Sequence, residues 1–307
     1  MRFFKKSGSQ GLIALRSSGA TGDTTTLAQL TRRENAKPLV NMAVTVSQSL
    51  NQQASLKALV HEFGLKKTRC AFILASKDYQ LMQVEKPNVP QEEQKQAVRW
   101  KLKDMLDYPV EQATVDVVEI PADPGNSSRQ RHVYAVAANN ALIGEVSNRL
   151  VQGGVNLQVI DIAELAQRNI ASLLEEPDRG LALLSFGSSG GLLTFTAGGE
   201  LFHARRMEFD GKWSASAYER IALELQRSLD HFERQFPFVV INKFLLAPFS
   251  EQAAFGEYLR SYLYMPVAAF ELSDIFEFAA GVVLDDAVQQ ALLLPVLGAA
   301  LREEETT

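Results

Sequence analysis

Two rhythms of hydrophobic residues run along the chain, one of period two and one of period 3.6. Residues 11–16 alternate loosely and are expected to open a sheet, and 17–26, rich in Ser, Gly and Thr, to form a turn. Val40, Val44 and Val46 carry a second strand over 39–46. Leu56, Leu59, Val60 and Phe63 have helical spacing, and Gly64 is a natural stop. Residues 70–75 and 79–84 read as a hairpin about Ser76-Lys77-Asp78. A stiff link with Pro87 and Pro90 then leads into a helix over about 91–106, with Val98, Leu102 and Met105 on one face. Residues 114–120 and 132–138 are strand-like around a polar loop, and helices at 141–150 and 162–174 enclose a short strand at 156–160.

Pro177 and Gly180, in a short polar stretch between apolar ones, mark the best boundary. Strands at 181–186, 192–196 and 200–206 follow, joined by 187–191 and by Gly198-Gly199. A long helix over 214–232 carries the stripe Tyr218, Ile221, Leu225, Leu229 and Phe232. A strand at 238–241, a helix at 251–262, a strand at 267–272 and helical pieces at 287–294 and 295–302 complete the pattern. Each half thus opens on hairpins and continues with helix and strand. This predicts a duplicated α/β organisation with a cleft between the halves.

Composition narrows the function. Of 307 residues, 46% are hydrophobic and 22% charged, which excludes wholesale disorder. The net charge of -5, with basic residues scattered among acidic ones, argues against nucleic acid as a partner. Arg205-Arg206 is the tightest interior basic pair and reads as surface. The single cysteine, Cys70, permits no intrachain disulfide and suits a reducing compartment, and it is expected to be structural. The four histidines share no ligand spacing, so no metal site is expected. The N-terminus carries basic residues without an apolar stretch behind them, unlike a secretory signal. No apolar run reaches the ~20 residues of a membrane helix.

Candidate chemistry centres on Ser185-Phe186-Gly187-Ser188-Ser189-Gly190-Gly191. A strand entering a Gly-Ser hairpin can wrap backbone N–H groups around a phosphate, and it can equally be a plain β-turn. No lysine closes it as in a Walker loop, and neither a nucleophile elbow nor a zinc-protease motif occurs. Asp161 and Asp210 sit near strand ends, where caps and turn residues are common.

Several stretches in fixed order resemble the PilM-type family of type IV pilus assembly proteins, within the actin-like ATPase superfamily. They are Glu85-Lys86-Pro87-Asn88-Val89-Pro90 running into Ala97-Val98-Arg99-Trp100-Lys101-Leu102 and Tyr108-Pro109, then Tyr134-Ala135-Val136-Ala137-Ala138 and Val159-Ile160-Asp161-Ile162. Phe186-Gly187 with Gly198-Gly199, and Leu297-Gly298-Ala299-Ala300-Leu301-Arg302, continue the likeness to the far end. The branch serving MSHA pili is the most similar. The resemblance implies a duplicated actin-like (ribonuclease H-like) fold. Residues 1–178 would form its first domain, with a small inserted unit at about 86–138, and 179–307 the second, whose last helix at about 295–302 returns to the first. It also implies a cytoplasmic protein, peripheral to the inner membrane through a partner: the short cytoplasmic tail of a PilN-like protein, with the assembly motor ATPase as a further contact. Arg99, Trp100, Lys103 and Tyr108 are the residues expected to receive that tail, since aromatic and arginine side chains anchor short peptides.

The family's nucleotide site maps to Ser17, Ser18, Gly187, Ser188, Ser189, Gly190, Ala247 and Pro248, and here it departs from the family. The Asp-Ile-Gly that opens each phosphate hairpin is replaced, in the first by an apolar residue or Arg16 according to register, in the second by Ser185-Phe186-Gly187. A Gly-Gly loop is replaced by Ala247-Pro248, which adds bulk and removes one N–H donor. Magnesium needs carboxylate or phosphate oxygens, and phosphoryl transfer needs magnesium's charge. The expectation is a vestigial site, no cofactor and a non-hydrolysing scaffold. Two alternatives stand beside it. One is an actin-like protein that binds or hydrolyses ATP with magnesium and so switches its partner surface. The other is a sugar-kinase or phosphatase relative, which would need a catalytic acid in the cleft.

Overall fold

The computed structural model describes residues 10–18, 22–125, 130–187, 190–284 and 286–302. β1 (Gln10–Ser18), β2 (Thr24–Arg33) and β3 (Ala36–Val46) form an antiparallel meander. Asn35, at φ 56°, makes the second turn in the left-handed conformation that asparagine tolerates. After α1 (Gln53–Glu62), β4 (Cys70–Ile73) runs parallel to β1. β5 (Gln80–Glu85), α2 (Gln91–Lys101), β6 (Ala113–Glu119) and β7 (His132–Asn139) then build a separate three-stranded sheet in the order β5-β7-β6. α3 (Asn140–Gly153) is capped by Asn139, whose side chain accepts from the Ala141 amide, and stops at Gly154, φ 98°. β8 (Leu157–Asp161) joins β4 in parallel, and α4 (Ala163–Ala171) closes the first half.

The second half repeats the scheme. β9 (Gly180–Gly187), β10 (Gly190–Ala197) and β11 (Glu200–Met207) form the meander, with Gly198 and Gly199 both at positive φ in the turn. Ser214 caps α5 (Ala215–Gln235), whose stripe Ile221, Leu225, Leu229 and Phe232 is buried, each side chain contributing roughly 1.5–3 kcal/mol. β12 (Ile241–Leu246) lies parallel to β9, and after α6 (Gln252–Tyr262) β13 (Val267–Ala269) lies parallel to β12. α7 (Leu272–Ile275) leads to β14 (Glu277–Phe278), which pairs with β3 in the first sheet, so the chain is already back among the first half at Glu277. α8 (Ala287–Ala300) then packs on β1, β2 and α4. The sheet orders are β14-β3-β2-β1-β4-β8 and β11-β10-β9-β12-β13, so the order β3-β2-β1-β4-β8 recurs in the second sheet and β14 is an added edge strand of the first. Among the described residues no helix is long and apolar enough to cross a membrane.

Several expectations from the sequence change. Within 17–26, Ser17 and Ser18 end β1 and Thr24, Thr25 and Thr26 begin β2, a strand the sequence pattern does not predict. Its Thr25 and Thr26 are fully buried, with their hydroxyls bonded to the Gln48 carbonyl (2.6 Å) and to the Ser18 hydroxyl (2.9 Å), so polar composition hid a central strand. β4 and β5 are not a hairpin but belong to different sheets. α2 ends at Lys101, and the fourth strand of the second sheet begins at Ile241 instead of spanning 238–241. Pro295 does not divide the last helix, which runs through it.

One half-buried ring sets a pH dependence. His203 on β11 lies beside Phe195 and His231, ring centroids 5.7 and 5.4 Å away, and its Nδ1 is buried without a partner among the described residues. Burial, and then the His231 charge, push its pKa down to about 4. The folded value lies below the unfolded ~6.5, so the unfolded chain takes the proton first. Stability is whole above pH 6.5 and falls as pH drops towards 4, by on the order of 3 kcal/mol at ~1.4 kcal/mol per pH unit. Urea melts at pH 7 and pH 4.5 should show His203→Gln losing less stability than the wild type. Equal losses would remove His203 as the cause.

Candidate functional site

β1 and β9 hold equivalent central places in the two sheets, and each turns back into an antiparallel neighbour. A cavity of about 70 Å³ lies between these two hairpins. Arg16 and Ser18 enter it from β1, Gln167 from α4, Ser185 and Gly187 from β9, Gly190 from β10 and Arg206 from β11, while Ala291 and Pro295 of α8 close one side. The period-two rule puts Arg16 and Ser18 on one strand face and Ser17 on the other. Gly190 is required where it stands: its φ is +105°, and a Cβ there would meet the Met207 carbonyl oxygen at 2.4 Å.

The floor of the cavity is polar and satisfied. The Ser185 hydroxyl bonds to Gln167 Oε1 at 2.5 Å. The Gln167 amide donates to the carbonyls of Leu183 (2.8 Å) and Leu192 (3.1 Å) and to Thr194 Oγ1 (3.0 Å). Arg206, at the rim, donates from Nε to Glu164 at 2.8 Å and also to the Ser76 carbonyl, with its guanidinium 4.4 Å above the Tyr79 ring. Glu164, 1% exposed, accepts in addition from the Tyr79 hydroxyl at 2.5 Å. Burial first, then the Glu164 carboxylate, holds the Tyr79 phenol well above its usual pKa. Arg16 is the exception, because its Nε is buried with no hydrogen-bond partner among the described residues.

This chemistry does not fit a magnesium nucleotide. No aspartate or glutamate stands among the described lining residues, and no cluster of three metal-ligating groups occurs among the described residues. Glu164 is committed to Arg206 and Tyr79. Asp161, buried at 2% exposure, accepts from the Ile162 amide at 2.8 Å and pairs with Arg302 at 3.4 Å. A 70 Å³ space takes a group of a few atoms, whereas drug-sized ligands fill pockets of roughly 300–1,000 Å³.

Of the residues marked in the sequence as a vestigial nucleotide site, Ser18, Gly187 and Gly190 line the cavity and Ser17 does not. Ser188 and Ser189 lie outside the described residues. Ala247 is fully buried in the core, its amide bonded to the Leu184 carbonyl at 2.9 Å, and Pro248 is buried beside it. Of the four residues marked for a partner, Arg99 is held by its own chain, donating to the carbonyls of Val110 (2.8 Å) and Glu111 (2.5 Å). Trp100 is 57% exposed and Lys103 is exposed. Tyr108 is half-buried, with a hydroxyl that bonds to nothing among the described residues.

The first half and the three-stranded sheet are separated by an open groove of about 870 Å³. β6, at the edge of one sheet, and β8, at the edge of the other, flank it. Its lining includes the apolar Val117, Val118, Val159 and Leu165 and the charged Arg168, Arg302, Asp116 and Glu200, of which Arg302 pairs with Asp161 at 3.4 Å and Asp116 with Lys95 at 2.7 Å. None of Arg99, Trp100, Lys103 and Tyr108 lines this groove.

Sequence reasoning missed Gln167, Glu164, Tyr79 and the cleft position of Arg206. Arg205 and Arg206 alternate along β11, so one is plain surface and the other reaches the rim. A period-two reading of 200–206 was the available signal.

No protein-family model matches the chain, and no curated protein matches it. Solved structures do. A PilM-PilN type IV pilus biogenesis complex aligns with a TM-score of 0.69 at 18% identity, over 95% of this chain and 97% of that one. The cytoplasmic domain of EpsL, an inner membrane component of the type II secretion system of Vibrio cholerae, aligns with a TM-score of 0.51 at 11% identity, over 95% and 96%. A Bacteroides thetaiotaomicron protein of unknown function, described as having an actin-like ATPase fold, aligns at 0.50 and 14% identity, over 95% and 98%. At such identities the likeness bears on architecture, and the architecture is a duplicated, two-domain actin-like α/β fold.

Proposed function

We propose that this protein is a scaffold of a type IV pilus assembly machine, of the MSHA kind, that captures the short cytoplasmic tail of a PilN-like inner-membrane protein. It then works on the cytoplasmic side of that membrane, held there by its partner, and is placed to meet the assembly motor ATPase. The observation that carries this reading is the 870 Å³ groove between two sheet edges. Edge strands present unpaired N–H and C=O groups, which an extended peptide can satisfy while its side chains meet the apolar part of the lining. Likeness to a PilM-PilN complex supports the choice of partner. A tail of about ten residues buries enough surface for micromolar binding.

Deleting the partner's tail should abolish co-purification from membranes, and unchanged recovery would end the groove reading. Gln158 is exposed on the groove wall. Gln158→Trp should weaken capture at least about tenfold, ~1.4 kcal/mol, with an unchanged thermal melt. Arg99→Glu is no surface probe, since it breaks two bonds to backbone carbonyls.

The scaffold is proposed to turn over no ATP. With Ser185 bonded to Gln167 and no carboxylate among the described lining residues, magnesium has no protein oxygen anion there to hold it. Phosphate release with ATP and magnesium should match a heat-inactivated control, and Ser185→Asp alone should not raise it. Release well above the control would favour the nucleotide-switched alternative.

A further inference from the structure

We infer that the row of tyrosines formed by Tyr218 of α5 and by Tyr258 and Tyr262 of α6 is a docking surface for an arginine-bearing segment of a partner protein. α6 packs inward through Phe255, Gly256 and Leu259. Tyr258, half-buried, flanks that stripe, and Tyr262, one turn on, is exposed. Their rings are stacked, with centroids 6.0 Å apart and planes 17° from parallel. Tyr258 meets Tyr218 at 5.4 Å, and Tyr218 meets Trp213 at 5.8 Å. Trp213 is itself stacked on the buried Phe249 at 5.1 Å. The row is thus anchored in the core at one end and open at the other. Aromatic faces held in this way offer contact area at little cost in side-chain entropy. Leu223, exposed on the same face of α5 as Glu219, adds apolar surface.

The occupant follows from charge. Glu251 accepts from the Tyr218 hydroxyl at 3.4 Å. Burial first, then the Glu219 charge, raises the Tyr258 phenol above its usual pKa, so Glu219 lies within electrostatic reach of the row. Neither carboxylate has an ion-pair partner among the described residues. The arginines nearest in sequence are engaged elsewhere. Arg220 donates to the Glu208 carbonyl at 2.8 Å and pairs with Glu224 at 4.0 Å. Arg260 pairs with Glu257 and donates to the Val267 carbonyl at 3.1 Å. The patch therefore presents tyrosine faces together with two carboxylates that lack a counter-ion. A guanidinium suits both, since it stacks on an aromatic face and donates in a planar fork to a carboxylate. An ammonium lacks the plane, and the phosphates of nucleic acid or anionic lipid are repelled by Glu219 and Glu251. None of these residues lines the groove of the proposed function, so either reading can fail alone.

The test is calorimetric titration of the full chain, at about 0.15 M salt, with three end-blocked tetrapeptides. They are tetra-arginine, tetra-lysine and tetra-citrulline, the last of which keeps the shape of arginine without its charge. The expected result is saturable binding of tetra-arginine, at least about tenfold tighter than of either other peptide. Tyr262→Ala and Glu219→Gln should each weaken it by at least about threefold with unchanged thermal melts, because both side chains are exposed. Glu92→Gln, at an exposed place on α2, should leave it as it was. No saturable binding of tetra-arginine by the wild-type chain would overturn the inference whatever the variants do. Equal affinity for tetra-lysine would mark the general attraction of cations to a chain of net charge -5, and equal affinity for tetra-citrulline a surface that does not select charge. Either result would overturn it too, as would binding that Tyr262→Ala and Glu219→Gln leave unchanged.

Discussion

Gly298→Val should lower the melting temperature by roughly 4–6 °C, the equivalent of ~3 kcal/mol. α8 crosses α4 at this residue with no room to spare. A Cβ on Gly298 would lie 2.1 Å from the Ala166 carbonyl oxygen, and the atom in the way is backbone, which cannot rotate aside. The contact is also a bonded one, since the Asn169 side-chain amide donates to the Gly298 carbonyl at 2.9 Å. Any larger residue must therefore push the two helices apart, lose this bond and open the core around Ala166, Leu297 and Ala299. Glycine in mid-helix costs up to ~1 kcal/mol relative to alanine, so the close approach outweighs a real propensity loss. The control is Gly144 in α3, where nothing lies within 4 Å of an added Cβ. Gly144→Ala should be neutral or stabilise by up to about 1 kcal/mol. If both variants melt alike, the α4–α8 approach is not the constraint described.

Glu164→Ala should cost on the order of 3 kcal/mol, and Glu164→Gln markedly less. Glu164 is the buried acceptor for two donors from different parts of the fold, Tyr79 after β4 and Arg206 on β11. Alanine leaves the phenol and the guanidinium both without it, whereas glutamine keeps an oxygen for one of them. Arg206 retains the Ser76 carbonyl and some water, with a side chain 34% exposed, so the loss stays at the low end for a broken buried pair. The double variant Glu164→Ala/Arg206→Ala should be less destabilised than the sum of the singles by about 1 kcal/mol or more. Strict additivity in a double-mutant cycle would show that the pair does not act as a unit.

The sequence carried the repeat of hairpins followed by helix and strand because local chemistry decides those elements. Ser214 starts α5 through its own hydroxyl, its stripe has the helical period, and Gly198-Gly199 can take the positive φ that a tight hairpin needs. What stayed hidden depends on distant partners. β2 looked like a turn because its buried threonines are satisfied from Ser18 and Gln48. Directly after Ile241, β12 carries Asn242 and Lys243, which reach Glu176 at 2.7 and 3.0 Å and interrupt the apolar run, while the apolar Val240 before it is 53% exposed. Within the cleft, the glycines and Ser18 were legible from the hairpin pattern. Glu164 and Gln167 were not, because their meaning lies in which strands α4 packs against.

The placement of α8 also bears on how the chain is made. β1 is synthesised well before α8, since the helix that covers it comes about 270 residues later. At the usual ~5–20 residues per second, β1, β2 and β3 wait for tens of seconds before Leu293, Val296 and Leu297 emerge to cover them. The second half, whose meander, α5 and β12 are contiguous in the chain, can be complete before the first. The expected consequence is an order of assembly opposite to the order of translation. During that wait the exposed apolar face of the first sheet is the part of the nascent chain most in need of a chaperone.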